Sequence, residues 1–356
     1  MLTRRTLLQG LLSVGGYSVA GMSLANSSAW AAEPMADPAM DFPPDLMTPR
    51  THTAIEKGLK FLASKQQEDG GFGSGGYARN PGVTALAGMA MLSSGSTPGR
   101  GPYGRALDKA IDFLLEHVEE SGFINYAPVI THGPMYGHGF ATLFLAECYG
   151  MTRRNDLRAK LSKAVQLIIN TQNSEGGWRY QPQREDADIS VTICQIMALR
   201  AARNAGLYVP VETINRCVEY VKKCQIMDGG FIYQLSQGGT SALPRSAAGV
   251  VALHSAGIYD GPELERGYQY LLENLPKGDE LSRETHYFYG HYYAVQAMWQ
   301  AGGNYWTRWY PAIREALVAR QQETGGWQDP ICVEYGTAMA TIILQMPNNY
   351  LPIFQR

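Results

Sequence analysis

The sequence predicts an all-α protein, an (α/α)6 toroid in which six helical hairpins form an inner and an outer ring of helices. Three observations predict this fold. A glycine turn recurs six times, an amphipathic helix precedes each turn, and an almost wholly apolar helix follows it. Repetition at a fixed period of this size is typical of proteins built from stacked supersecondary units. Because the repeats fill most of the 356 residues, we expect one repeat domain.

The glycine turn is the most regular of the three features. Four copies are intact, with two glycines followed by an aromatic residue, and they end at Phe72, Trp178, Phe231 and Trp327. Two copies are degenerate, at Ser121-Gly122-Phe123 and at Pro276-Lys277-Gly278-Asp279. With the second glycine as reference, the turns lie at positions 71, 122, 177, 230, 278 and 326, a step of 48 to 55 residues.

The helices that precede the turns are amphipathic. In the first of them, Ile55, Leu59 and Leu62 recur at helical spacing, which gives one apolar face and one polar face. A helix of this kind packs on a core with one side in water, so we expect these helices to form the outer ring. They are predicted at residues 54–67, 106–118, 156–172, 211–225, 262–275 and 310–322.

The helices that follow the turns are rich in small residues and apolar nearly all round, as in Thr84-Ala85-Leu86-Ala87-Gly88-Met89-Ala90-Met91. A helix without a polar face is buried, and small residues let neighbouring helices approach closely. We expect these helices to form the inner ring, with the loops before them gathered at one mouth of the barrel. They are predicted at residues 82–94, 138–150, 189–205, 244–257, 288–302 and 335–346.

The N-terminus predicts export. Arg4-Arg5 precedes a short, mildly apolar segment, and Ala29-Trp30-Ala31 offers a cleavage site, which together predict a twin-arginine signal peptide over residues 1–31. Retention of this segment as an anchor helix is the alternative. A proline-rich spacer is predicted at 32–53, the toroid at 54–347 and a C-terminal tail at 348–356. We therefore expect a periplasmic or extracellular protein without a membrane span once the signal is cleaved.

Composition excludes several classes of partner. The formal net charge is −2, and loss of two signal-peptide arginines would make it −4, which is 28 basic minus 32 acidic residues. No basic surface for nucleic acid is therefore expected. The five cysteines form no C-x-x-C pair, and Cys217 and Cys224 would lie about 10.5 Å apart along one helix. That span is too long for a disulfide, so buried thiols are expected.

The repeat carries a family resemblance. The unit from Ala164 to Trp178, Ala-x3-Ile-x3-Gln-x4-Gly-Trp in outline, resembles the glutamine–tryptophan repeat of squalene–hopene cyclases. The chain from about Ala54 to Pro347 is similar to the prenyltransferase and squalene-cyclase repeat superfamily, which implies an α/α toroid. Six repeats indicate the fold strongly, but one fold hosts several functions, so they indicate the reaction poorly.

The resemblance to protonating cyclases implies a candidate acid. Those enzymes carry Asp-x-Asp-Asp-Thr just before an inner helix, and here Asp186-Ala187-Asp188-Ile189-Ser190 follows Trp178 at a comparable point. By position, Asp188 would be the proton donor and Asp186 its neighbour, because two close carboxylates do not both ionise readily. Ile189 and Ser190 depart from the motif. The alternative interpretation is that Asp188 or Asp186 caps the following helix.

Other members of the superfamily fit less well. Protein prenyltransferase β subunits use an Asp-x-Cys zinc site, which is absent here, and the Cys-Gly-Glu-Gln of thioester proteins is absent too. The chain also has length for only one of the two helical domains between which squalene cyclases enclose their substrate. We predict no cofactor and no specific metal, although rim histidines with Cys332 would bind zinc if three of them met.

The loops before the inner helices should bring a set of polar and aromatic side chains to the mouth. Candidate catalytic residues are Asp188, Asp186 and Glu334. Candidate ligand-binding residues are His132, Tyr136, His138, Arg245, His286, Tyr287, Tyr289, His291, Tyr292 and Tyr335. Solvated or capping histidines and helix-packing tyrosines are the alternative for each.

Three functions remain open from the sequence. The first is a terpenoid-cyclase-like protein that binds or acts on a hydrophobic isoprenoid, with Asp188 as general acid and aromatic faces that stabilise a cation. The second is a non-catalytic toroid that binds a protein or envelope component at its rim. The third is a carbohydrate-active enzyme with paired carboxylates. A deep cavity with Asp188 pointing inward favours the first, a plugged barrel the second, and a solvated cleft lined by carboxylates the third.

Overall fold

The computed structural model describes residues 46–129, 131–152, 154–276 and 286–355. The predicted signal peptide, most of the spacer, and the turn at Gly278 lie outside these described residues. Within them the chain forms twelve α-helices and no strand longer than an isolated bridge. The prediction of an all-α toroid is confirmed.

The helices alternate between the two rings in chain order. The outer helices are α1 (Pro49–Lys65), α3 (Gly104–Glu116), α5 (Asn155–Thr171), α7 (Val211–Lys223), α9 (Pro262–Glu273) and α11 (Gly303–Arg320). The inner helices are α2 (Pro81–Ser93), α4 (Pro134–Tyr149), α6 (Ile189–Asn204), α8 (Leu243–Ser255), α10 (Tyr287–Ala301) and α12 (Val333–Gln345). The inner helices are buried along nearly their whole length, as their composition predicts.

The inner helices form a closed ring. Each packs on the next in the order α2, α4, α6, α8, α10, α12, and α12 returns to α2. Small residues lie where the helices approach, and a Cβ at Gly139 of α4 would come within 2.8 Å of Cys194 Cβ on α6. In this ring α4 lies opposite α10, and α6 lies opposite α12.

Glutamines at the ends of four outer helices join each repeat to the next. The side-chain Nε2 of each donates both to the first turn glycine carbonyl and to a carbonyl in the first turns of the following outer helix. The second of these bonds run from Gln66 to Ala106 (2.8 Å), Gln172 to Thr213 (2.9 Å), Gln225 to Glu263 (2.8 Å) and Gln321 to Ala54 (2.8 Å). Because the last bond joins α11 to α1, it closes the outer ring.

The first glycine of each described turn has a left-handed backbone, with φ of 93° at Gly70 and 91° at Gly122. A Cβ at Gly70 would lie 2.1 Å from the Lys109 carbonyl oxygen of the next outer helix, so only glycine fits there. This geometry corrects the register of the second repeat. Gly122 is equivalent to the first glycine, so Phe123 replaces the second glycine and Ile124 replaces the aromatic residue.

In helices α2, α4, α6, α8 and α12, one side chain accepts a hydrogen bond from the backbone of the turn that precedes the helix. The backbone N–H of the turn's aromatic residue donates to a hydroxyl oxygen: Phe72 to Thr84, Trp178 to Thr192, Phe231 to Ser246 and Trp327 to Thr337, at 2.9 to 3.1 Å. In the second repeat the Ile124 N–H donates to His138 Nδ1 at 3.1 Å. The turns and the inner ring are thus joined by one recurring contact.

The end of the barrel away from the turns is closed by the C-terminal segment. Its short 3₁₀ helix Pro352–Phe354 packs against α6, and Leu351, Ile353 and Phe354 are buried. The predicted tail at 348–356 therefore contributes to the core. No helix in the described part of the chain is long and apolar enough to cross a membrane.

Candidate functional site

The N-terminal ends of the inner helices lie together at one end of the barrel, which we call the mouth. Gly82 of α2 approaches Gly137 of α4, and the Ser74 hydroxyl donates to Glu334 Oε2 of α12 at 2.8 Å. The loops after the glycine turns therefore converge there, as the sequence predicts. Most candidate residues belong to this end, but they do not all face one space.

Three tyrosines of α10, which we call the tyrosine layer, cross the barrel axis below the mouth: Tyr289, Tyr292 and Tyr293. The Tyr289 ring meets Tyr136 of the opposite helix α4 edge-on, with 6.3 Å between centroids. Its hydroxyl donates to the Ser190 carbonyl of α6 at 2.7 Å. Tyr292 and Tyr293 are 0% exposed. The upper axis of the toroid is thus packed with side chains.

The lower two tyrosines make the same kind of contact across the axis. The Tyr292 ring lies edge-on to Phe140 of α4, 6.1 Å away, and the Tyr293 hydroxyl lies 3.3 Å from Cys194 Sγ of α6. Burial raises the pKa of Tyr293 well above its usual value and that of Cys194 to about 12, so both stay protonated at neutral pH.

Asp188 caps helix α6. Its Oδ1 accepts from the Val191 N–H at 2.8 Å and from the Ser190 hydroxyl at 2.6 Å. Its Oδ2 is buried and has no hydrogen-bond partner among the described residues, and the nearest cation, Arg179 Nη1, is 3.7 Å away. Burial raises the pKa of Asp188, and the Ser190 and Val191 hydrogen bonds and Arg179 lower it less. Asp188 therefore caps α6 with one carboxyl oxygen, and its other carboxyl oxygen accepts no hydrogen bond from the described residues.

The equivalent residue of the first repeat shows what capping alone requires. Asn80 caps α2, with Oδ1 accepting from the Gly82 and Val83 N–H groups. An uncharged amide therefore suffices at this position of the repeat. The carboxyl group of Asp188 needs another explanation.

Arg179 links the two aspartates and two aromatic rings. Its Nη1 lies 3.5 Å from Asp186 Oδ2 and 3.7 Å from Asp188 Oδ2. Its guanidinium lies over Tyr180, 4.4 Å from the centroid, and 5.5 Å from the centroid of Tyr233. Arg179 Nη1 is buried and has no hydrogen-bond partner among the described residues, so its attraction to the two carboxylates is electrostatic. We call Arg179, Tyr180, Asp186, Asp188 and Tyr233 the rim cluster.

The rim cluster is continuous with the tyrosine layer and open to solvent on its outer side. The Tyr136 hydroxyl lies 2.7 Å from Ser190 Oγ, and its ring lies 6.0 Å from Tyr180. Side-chain exposure is 21% for Arg179 and 49% for Asp186, against 0% for Asp188. Gln234 Nε2 donates to Asp186 Oδ2 at 3.0 Å and fixes that carboxylate from the next repeat.

Of the predicted ligand-binding residues, Tyr136 and His132 border the rim cluster. The exposed His132 ring lies 4.5 Å from Tyr180. Arg245 is turned towards its own loop, where Nη2 donates to the Thr240 carbonyl. Tyr289 and Tyr292 belong to the tyrosine layer.

His138 has a structural role, because its ring faces the turn before α4 and the outer helix α5. It is 0% exposed, Nδ1 accepts from Ile124 and Nε2 lies 3.2 Å from the Ala164 carbonyl oxygen. Burial lowers its pKa to about 4, so it is neutral and donates through Nε2. His138 therefore accepts the backbone hydrogen bond of the turn that a Thr or Ser hydroxyl accepts in the first, third, fourth and sixth repeats.

The fifth repeat divides between the axis and the outer ring. Tyr287 and His291 pack against each other and face α11, with Arg320 over the Tyr287 ring at 4.9 Å and Trp309 5.8 Å from His291. His286 is exposed and precedes α10 with a left-handed φ of 60°. These three residues therefore do not join the rim cluster.

Glu334 and Tyr335 begin α12, on the far side of the ring from Asp188. Glu334 is 4% exposed and accepts from Ser74. Burial raises the pKa of Tyr335 well above its usual value. Glu334 and the two aspartates are thus not paired across a common cleft.

The predicted histidines and Cys332 do not meet. The described residues contain no group of three or more His, Cys, Asp or Glu side chains that could hold a metal ion. All five cysteines are free and buried, so the prediction of buried thiols is confirmed.

Sequence reasoning missed Arg179, Tyr180 and Tyr233. A signal was present, because Tyr180 and Tyr233 each lie two residues beyond the aromatic residue of an intact turn, Trp178 and Phe231. A residue two positions beyond the turn lies at the mouth, because the chain passes there before it enters the inner helix.

Known proteins match the fold. Residues 105–274 match the family model of the prenyltransferase alpha-alpha toroid domain. The type II terpene cyclase MstE from Scytonema superposes with a TM-score of 0.57 at 16% identity, covering 85% of this chain and 99% of that one. An inactive variant of the α-1,6-mannanase GH76A of Salegentibacter, in complex with α-1,6-mannotriose, superposes with a TM-score of 0.59 at 7% identity, covering 83% and 98%. No curated protein matches the sequence.

The resemblance seen in the repeat is confirmed by these matches. At such low identity the solved structures establish the shared toroid and nothing about the ligand.

Proposed function

Because the chain has the α/α toroid of the prenyltransferase and terpenoid-cyclase superfamily, we propose that it is an exported binding protein of that fold, which holds a polar envelope component at the rim cluster. The tyrosine layer carries this proposal. A ligand enclosed in the barrel would have to displace rings of α10 that contact α4 and α6 across the barrel. The rim cluster lies above these rings and needs no such displacement.

The chemistry of the rim cluster favours a ligand with hydroxyl groups, such as a glycan. Two half-buried tyrosine rings, whose hydroxyl groups contact each other, lie beside Arg179 and Asp186, which offer charged donors and acceptors that are partly exposed. Flat apolar faces beside oriented polar groups are what a sugar ring requires. Because the two aspartates offset the positive charge of Arg179, binding of a simple anion at the rim cluster is disfavoured.

Two further considerations agree with a glycan. A toroid of similar fold is known in complex with mannotriose, and a second similar structure is described as a glycosidase, with a TM-score of 0.58 at 11% identity. The twin-arginine pattern in residues 1–31 would deliver the protein to the envelope, where glycans are exposed.

A second candidate function is acid chemistry on an isoprenoid, and Asp188 favours it. A buried carboxyl group with a raised pKa and an uncommitted oxygen can hold a proton and donate it to an alkene. Arg179 would then stabilise the carboxylate, and the tyrosine faces would stabilise the carbocation. A similar toroid, a variant of MstE, is known in complex with geranylgeranyl dihydroxybenzoate. This function requires the tyrosine layer to rearrange.

Two measurements on the exported protein separate the candidates. Binding of an oligosaccharide panel that includes α-1,6-mannotriose should fall at least tenfold in Arg179→Gln and Tyr233→Ala, since an oriented charged group and a stacking face are lost. It should persist in Asp188→Asn. Tyr208→Ala, which removes an 83% exposed ring outside the mouth, is the matched control.

Native mass spectrometry with lipid extraction tests the second candidate. One outcome is an isoprenoid that co-purifies with the protein and is converted by the unmodified chain but not by Asp188→Asn. This result would support acid chemistry and contradict the binding proposal. If neither sugar nor lipid binding depends on the rim cluster, both candidates are wrong.

A further inference from the structure

A second polar pocket lies at the opposite end of the barrel, between the C-terminal ends of α6 and α8. Its volume is about 360 Å³. It is lined by Arg200, Arg203, Asn204, Ser255, Gly257 and Tyr259. All the side chains in this lining are polar, and the pocket shares no residue with the rim cluster.

Two guanidinium groups face this pocket from one helix. Arg200 and Arg203 are three residues apart on the last turns of α6, a spacing that places side chains on the same face. Among the described residues neither forms an ion pair within 4.0 Å, although the charge of the buried Glu147 acts on Arg200. Two cations at one pocket without a paired carboxylate leave room for an anion.

Arg200 is fixed in place by its surroundings. Its Nη1 donates to the His254 carbonyl at 3.0 Å, and its guanidinium lies 5.7 Å from the centroid of the Tyr259 ring. A guanidinium that is already oriented loses little freedom when it binds a ligand. Arg203 is exposed and can reach the same anion from the rim of the pocket.

A small cavity beside the pocket contains a buried nitrogen without a hydrogen-bond partner among the described residues. His254 is 2% exposed, and its Nδ1 has no hydrogen-bond partner in the described part of the chain. Its Nε2 lies 2.6 Å from the Tyr268 hydroxyl oxygen. His254 lines a small cavity of about 10 Å³ that shares Arg200 and Ser255 with the larger pocket. That cavity has room for about one water molecule.

The protonation of His254 makes Nδ1 a candidate donor. Burial, and then the charge of Arg200, lower the pKa of His254 to about 3, so the ring is neutral and carries one N–H. When the Tyr268 hydroxyl donates to Nε2, the proton lies on Nδ1. An acceptor in the adjoining pocket would then reach it through one water molecule in the small cavity.

We propose that this pocket binds an oxyanion, the phosphate or carboxylate group of a small molecule. The two guanidinium groups would hold the charged oxygens, and the Ser255 hydroxyl and Asn204 amide would add neutral donors. The Tyr259 ring, 56% exposed, stands beside the arginines and would cover an attached planar group. The site is independent of the rim cluster, because the two lie at opposite ends of the inner helices.

Equilibrium dialysis of the full chain with radiolabelled inorganic phosphate tests the proposal directly. We expect one saturable site per chain, and displacement of the label by succinate when the pocket accepts carboxylates as well. Arg203→Gln should weaken binding at least tenfold, because a charge-assisted hydrogen bond is lost. Arg158→Gln, which removes an exposed arginine of α5, is the matched control and should bind as the unmodified chain does.

A second variant guards against loss of the fold. Arg200→Gln removes the bond to His254, so its effect is interpreted only when its thermal unfolding matches that of the unmodified chain. The exposed Arg203 does not carry this risk. Phosphate binding that is absent, unsaturable, or equal in Arg203→Gln and Arg158→Gln would overturn the proposal.

Discussion

Two buried carboxyl groups, Asp188 and Glu147, differ in what their surroundings provide. Asp188 receives two hydrogen bonds at one oxygen and faces Arg179 with the other. Glu147, on α4, is 5% exposed, and its Oε2 has no hydrogen-bond partner among the described residues. Burial raises the pKa of Glu147 to about 7, and a backbone hydrogen bond from Ile353 and the charge of Arg200 oppose that rise only in part.

Glu147 should make stability depend on pH. Its ordinary pKa is 4.5 and its folded pKa is about 7, so between these values the folded state retains a proton that the unfolded state has lost. Stability contributed by this proton is fully present below pH 4.5 and is lost as pH rises towards 7. Glu147→Gln imitates the protonated form, and above pH 7 it should raise the free energy of unfolding by up to about 3 kcal/mol.

Urea unfolding at pH 5 and pH 8 measures this effect. The difference between Glu147→Gln and the unmodified chain should grow with pH, which separates Glu147 from other groups that titrate over the same range. Glu116→Gln, an exposed glutamate at the end of α3, is the control. A difference that is the same at both pH values would show that Glu147 does not titrate in this range.

Individual side chains were the hardest part of the site to predict. Asp188 and Asp186 follow from their position before an inner helix, and the structure places both in the rim cluster. His138 occurs at the mouth end of its helix in the sequence, but only the fold reveals that it replaces the hydroxyl of Thr84 or Thr192. Residue type alone does not distinguish a histidine that binds a ligand from one that holds a turn.

At the scale of the element, the helices follow the sequence closely because burial pattern and turn chemistry agree. Ten of the twelve begin within a few residues of their predicted start, and the larger differences occur at α1 and α11. Helix α1 starts at Pro49 because Thr48 caps it and proline suits a first helical turn. Helix α11 starts at Gly303 and includes Pro311. The predicted start at residue 310 is next to this proline, because proline is typical of the first turn of a helix and not of its interior.

The glutamine at the end of α11 should matter to the joint between the last and first repeats. Gln321 Nε2 donates to the Ala54 carbonyl at 2.8 Å and to the Gly325 carbonyl at 2.9 Å. Gln321→Ala removes both bonds and should lower the free energy of unfolding by about 1–3 kcal/mol. Gln66→Ala, which removes the equivalent pair at an internal joint, should cost a similar amount.

Denaturant unfolding of the two variants compares these joints. Gln322→Ala is the control, because it truncates the neighbouring side chain and leaves both bonds in place. Equal losses would indicate that the closing joint is held like the others. An undetectable loss in Gln321→Ala alone would show that α11 and α1 are joined by packing rather than by this contact.

At the scale of the whole molecule, the sequence predicts ring closure but not what fills the ring. Six repeats of similar length allow a closed toroid, and the contact of α12 with α2 and α1 closes it. Whether the centre is hollow depends on the direction in which a few side chains of α10 point. These residues are of the same type as others on α10 that face outward. Tyr289 crosses the axis, whereas Tyr287, two residues away, faces α11. That difference comes from the angular position of each residue on α10, because residues two apart lie about 200° apart around a helix axis.

The closed lower end of the barrel supports the tyrosine layer, and its removal should be felt by the whole fold. Phe354 lies edge-on to Tyr292, 6.4 Å away, and Leu351, Ile353 and Phe354 are each at most 5% exposed. Deletion of residues 350–356 should therefore lower the free energy of unfolding by several kcal/mol, at roughly 1.5–3 kcal/mol for each buried side chain. Denaturant unfolding of the truncated and full-length chains measures this loss. Deletion of Gln355 and Arg356 alone is the control, since Gln355 is exposed. A full deletion as stable as this control would mean that the barrel is sealed by the inner helices themselves.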